Sequence, residues 1–124
     1  MYLQGTKENG LVFNPSKKLV VDCYADADFA GLWGHEDPQD PICTRSRTGF
    51  VVTFADCPLL WVSKIQTEIA LSTLHSEYVA LSHSVRALIP LKSLIKEVID
   101  NLGIDSKNLK FVSSPRFMRT ITEP

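Results

Sequence analysis

Little in this chain is suited to cross-linking. Its 124 residues include only three cysteines, Cys23, Cys43 and Cys57, odd in number, far apart and with no C-x-x-C pair. That pattern excludes a disulfide framework and argues against a zinc site. The expectation is reduced thiols in an intracellular protein, cytoplasmic or nuclear. Long apolar runs are missing too: no signal segment opens the chain, and no stretch is long enough to cross a membrane. Excess positive charge is also absent, with 13 Lys and Arg against 14 Asp and Glu for a net charge of −1. This argues against a dedicated nucleic-acid binder, but less against a nuclease that holds metal with acids and phosphates with a few local cations. No internal repeat or low-complexity segment occurs.

What is present reads as a single domain of mixed α/β type. Gly10–Phe13 and Leu19–Tyr24 are short strand-forming stretches around the turn residues Asn14-Pro15-Ser16. Residues 34–44 carry Asp37-Pro38 and Asp40-Pro41 and read as a loop. Gly49–Ala55 and Leu59–Ser63 predict a hairpin turning at Asp56-Cys57-Pro58. From Ser72 the apolar residues Leu74, Tyr78, Leu81, Val85 and Leu88 recur at helical spacing, with Ser72 or Thr73 as N-cap. Pro90 predicts a kink or break, Leu91–Leu102 resumes the helix, and Gly103 stands where a C-cap glycine belongs. Lys110–Ser113 reads as one more strand, and the tail after it carries no clear signal.

Asp26 and Asp28 close a strand, and Glu77 lies in the first turns of the helix at the border of the apolar stripe. Carboxylates converging from strand ends and helix starts are what metal-assisted phosphodiester hydrolysis needs. By pattern alone a second reading stands beside this one: Asp26 and Asp28 as turn acids, and Glu77 as a solvated acid favoured by the helix dipole. His35, His75 and His83 do not form a ligand set and read as surface or satisfied histidines. Ser72, Ser76 and Ser82 make no nucleophile arrangement with them. Arg45, Arg47 and Lys64 could share one end of the hairpin and touch phosphates, or be scattered surface charge. Trp33 and Trp61 read as core or loop aromatics rather than as a protein-docking signal.

Whole blocks of the sequence resemble those of a known family. YLQGTKENGLVF at 2–13 is similar to the linker between the reverse transcriptase connection region and ribonuclease H in copia-type retrotransposon polyproteins. CYADADFAG at 23–31 resembles that family's "DADWAG" block, with Phe29 for the usual Trp. RSRTGFVV at 45–52 resembles "RSTSGYVF", and LLWVSKIQTEIALSTLHSEYVAL at 59–81 resembles "VSWKSKKQPTVALSSTEAEYIAL". Four blocks in the family's order make a specific resemblance spanning roughly residues 2–103.

The resemblance implies a ribonuclease H-like mixed sheet with a long, Pro-broken helix on one face, incomplete at its C-terminal end. It divides the chain into a linker and first strand over 1–18, a partial ribonuclease H-like domain over 19–113 and a divergent tail over 114–124. It also implies Mg²⁺-dependent cleavage of RNA in an RNA–DNA hybrid, within a larger polyprotein. Asp26 and Glu77 fall on catalytic, metal-binding carboxylates, and Asp28 on a further acidic position of the block, either a metal ligand or a supporting residue. His75 replaces the other Glu of "TEAEY".

One departure weighs against activity. The family follows its next strand with an "EDN" block holding a third carboxylate, whereas here LKFVSS runs straight into PRFMRTITEP, so no third catalytic Asp is found. The expectation is an impaired nuclease. The alternative is a non-catalytic remnant with at most weak nucleic-acid binding.

Overall fold

The computed structural model describes residues 2–31, 34 and 39–113. A short helix, α1 (Tyr2–Thr6), precedes an irregular segment and then β1 (Val20–Asp28), β2 (Arg47–Phe54) and β3 (Cys57–Ile65). The long helix α2 (Thr73–Asn101) follows, then β4 (Lys110–Ser113). The sheet order is β3-β2-β1-β4; β1 pairs antiparallel with β2 and parallel with β4. This is the mixed sheet with a long helix that the sequence predicts, and it is compatible with a ribonuclease H-like fold.

The hairpin forms as predicted but turns earlier. Ala55 and Asp56 take positive φ values of 50° and 65°, as a two-residue type I′ loop requires. Pro58 therefore enters β3, opposite Thr53, where an irregularity interrupts the register. An edge strand tolerates this because a proline there removes no ladder bond from a second neighbour.

The expected strand at Leu11–Phe13 is not formed. Both edges of β1 are already occupied, by β2 and β4, so that segment cannot pair with β1. Its side chains stay in solvent, Val12 with 84% of its surface exposed. The segment is held instead at the hairpin turn, where the Ser16 amide donates to the Ala55 carbonyl.

The helix is not broken at Pro90 either. Ser72 caps it, its hydroxyl accepting from the His75 amide, and the His75 Nδ1 accepts from the Leu71 amide. His75 thus stands where a capping box has its acid. At the other end Gly103, at φ +70°, closes the helix through bonds from its amide to Asp100 and from the Ile104 amide to Ile99. Pro90 cannot donate to the Arg86 carbonyl. Both residues are exposed, so water can satisfy that carbonyl without interrupting the helix.

The face of α2 that meets the sheet is not the one periodicity selects. Its buried residues are Ser76, Ala80, Ser84, Ile95 and Ile99, packed over Val21, Cys23, Phe50 and Val52 with Leu88 and Leu91 at the margin. Leu74, Tyr78, Leu81 and Val85 are exposed, Tyr78 to 63%. Small residues allow the helix to approach the strands closely. The two serines bury their hydroxyls cheaply by bonding back to their own helix, to the Thr73 and Leu81 carbonyls.

No disulfide joins the three cysteines, and burial pushes the Cys23 thiol pKa up although a bond with Ser84 opposes this. Among the described residues no helix is long and apolar enough to cross a membrane.

Candidate functional site

The acids singled out in the sequence come from the end of β1 and the start of α2. Asp26 is exposed, and its Oδ1 accepts a hydrogen bond from the Ala27 amide at 2.9 Å. Asp28, also exposed, lies directly opposite Arg47 in the ladder. Gly31 packs so tightly on the Asp28 carboxylate that any Cβ at position 31 would collide with it. The turn after β1 is pinned further by the Ala30 amide, which donates to Ser46 Oγ at 3.3 Å.

Glu77 is half-buried, and its Oε2 is buried with no hydrogen-bond partner. Burial pushes its pKa up, and the negative charge of Asp26 pushes it further in the same direction. The structure therefore brings Asp26 and Glu77 within electrostatic reach of each other. No hydrogen bond joins them, and Asp28 does not contribute to the shift. Among the described residues no three His, Cys, Asp or Glu side chains cluster closely enough to hold a metal ion. The orphaned Glu77 oxygen beside a second carboxylate fits one hard divalent cation, which takes oxygen ligands. It falls short of the ligand set that two cations need.

A consequence for stability follows from the sign of that shift. The folded state binds the Glu77 proton more tightly than the unfolded chain does. Stability is therefore lost as pH rises from the ordinary glutamate range towards the raised value. Glu77→Gln removes the strained charge, so its melting temperature at pH 7 should exceed that of the natural chain. The gain should close on acidification below about pH 4, where glutamate is protonated even when unfolded. Thermal melts of both proteins across that range check this, and an unchanged or lowered melting temperature at pH 7 would refute it.

A residue the motif reading passed over sets where Glu77 sits. Gln66 is 1% exposed, and its Nε2 donates both to Thr48 Oγ1 at 3.0 Å and to the Ser76 carbonyl at 2.8 Å. Its own amide donates to the Ser46 carbonyl at 2.8 Å. One side chain thus ties the open end of the hairpin to the helical turn carrying Glu77. The only trace in the sequence is a glutamine directly after the last residue of β3.

The three basic residues do not form one patch. Thr48 is buried beneath α2, and Lys64 lies opposite it, on the helix side of the sheet. Arg47 is one residue along from Thr48 and so faces the other side. Arg45 is half-buried with its Nε lacking a partner. His83 is not satisfied as expected: its Nδ1 is buried without a partner. Burial lowers the His83 pKa, as do the charges of Lys64 and Arg86. His35 and Trp33, and the Ser114-Pro115 junction with the tail, lie outside the described residues.

Comparison with known proteins finds relatives of one main kind. Over 106 residues the chain is 35% identical to a retrovirus-related Pol polyprotein from a transposon of Nicotiana tabacum, covering 86% of this chain and 7% of that one. It is 30% identical over 97 residues to another such polyprotein from a transposon of Arabidopsis thaliana, covering 78% of this chain and 6% of that one. A secreted RxLR effector protein of Plasmopara viticola is 34% identical over 85 residues, covering 68% of this chain and 54% of the effector. No family model matches, and no solved structure matches. The chain thus corresponds to a small segment of the transposon polyproteins it resembles.

Proposed function

From its homology to retrovirus-related Pol polyproteins of plant transposons, we propose that this chain is their ribonuclease H segment, with impaired activity. The substrate is the RNA strand of an RNA–DNA hybrid. The observation that carries the reading is the Asp26–Glu77 pair: two carboxylates from separate elements, close enough for one to raise the pKa of the other. A carboxylate whose pKa is raised both by burial and by a specific charged neighbour is a candidate for chemistry. Bound between them, Mg²⁺ would supply Lewis acidity and an activated water. The protein's part is to hold Glu77 through the Gln66 tether, to present Asp26 at the end of a rigid strand, and to keep one Glu77 oxygen uncommitted.

A single-turnover assay on a labelled RNA–DNA hybrid tests this. The purified chain should cleave barely above background in Mg²⁺, and Glu77→Gln should remove what cleavage there is. Robust cleavage unaffected by Glu77→Gln would overturn the site. Robust cleavage that does need Glu77 would instead mean that Asp28 completes the ligand set. Hybrid binding without any Glu77-dependent cleavage would favour the second reading, a non-catalytic remnant.

A further inference from the structure

Three side chains outside the carboxylate pair converge beside β3. Lys64 is the next-to-last residue of that strand and lies on the helix side of the sheet. His83 and Arg86 are three residues apart on α2, a spacing that makes them neighbours on one flank of a helix. Charge on Lys64 and on Arg86 is felt at the His83 imidazole, so the three groups are spatially close. Lys64 and Arg86 are both exposed, and among the described residues neither forms an ion pair with a carboxylate. The buried His83 Nδ1 has no partner.

A chain with a net charge of −1 has thus gathered two cations and an imidazole where no acid offsets them. Their mutual repulsion is relieved by an anion that offers several oxygens. A tetrahedral phosphate fits, because Lys supplies a point charge, Arg a two-pronged donor and His a single N–H. We propose that Lys64, His83 and Arg86 form a binding site for a phosphodiester group of a nucleic-acid backbone lying along the β3 flank. The inference rests on the nucleic-acid reading above but uses none of the carboxylates. Arg86 follows Glu77 by nine positions, about two and a half turns, so the two sit on opposite sides of α2.

The test follows the His83 imidazole by NMR in the full chain, alone, with inorganic phosphate and with a short RNA–DNA hybrid. An anion bound there favours the imidazolium, so both additions should raise the His83 pKa. Lys64→Gln and Arg86→Gln should each weaken hybrid binding and reduce the slope of log affinity against log salt by about one. Lys107→Gln, remote from the cluster, should change neither. A rise with phosphate but none with hybrid keeps the oxyanion site and overturns its assignment to nucleic acid. A His83 signal unmoved by either addition, with hybrid binding indifferent to both variants, overturns the inference while leaving Glu77-dependent cleavage untouched.

Discussion

Inserting the resembled family's "EDN" block and the residues that follow it, with the third carboxylate, between Ser114 and Pro115 is expected to raise Mg²⁺-dependent hybrid cleavage at least about 100-fold. Loss of a mere supporting residue around a metal ligand costs about 10–100-fold, so supplying a missing ligand should exceed that range. The two acids already in place are a partial set, with Glu77 Oε2 left unpartnered and no third group beside it among the described residues. In the completed chain Asp26→Asn and Glu77→Gln should each return cleavage to background. The melting temperature should rise as well, because the exposed row of Leu74, Tyr78, Leu81 and Val85 leaves apolar surface in water that added structure could cover. Cleavage assays and melts on the same preparations read both effects. A completed chain that folds, melts higher and still cleaves no faster would refute the assignment of Asp26 and Glu77.

Replacing Gln66 with Leu is expected to lower stability by about 1–3 kcal/mol, since the buried Thr48 hydroxyl loses its partner. The same Nε2 also bonds the Ser76 carbonyl, which keeps its helical bond from the Ala80 amide. Gln66→Glu should do at least as much harm, because it buries a charge and sets an acceptor against the Ser76 carbonyl. Urea denaturation reads the loss directly. The tether also gives a readout that core packing alone would not move. Freed from it, the first turn of α2 no longer holds Glu77 near Asp26, so Glu77 should titrate closer to an ordinary glutamate. An NMR titration of the Glu77 carboxyl checks this. A protein with Leu at position 66 that keeps its stability and its raised Glu77 pKa would show that Gln66 positions nothing.

Much of the architecture was legible in the chain by itself, because it depends on neighbours in sequence. The β2–β3 hairpin follows from two apolar, β-prone runs a turn apart, and the ends of α2 from Ser72 and Gly103. β4 is a short apolar run after a helix stop, and the acids Asp26 and Glu77 are carried by recognisable blocks. Tertiary structure decided what depends on distant partners. Leu11–Phe13 has the composition of a strand, but it joins no ladder, and β4 takes the edge of β1 instead. Apolar spacing along α2 selects Leu74, Tyr78, Leu81 and Val85, yet the sheet receives Ser76, Ala80 and Ser84. Close approach of a helix to a sheet rewards small side chains, and hydropathy cannot register that. Lys64 leaves Arg47 and joins His83 and Arg86 because alternate residues of a strand face opposite ways, and a helix then brings its own cations to one of those faces.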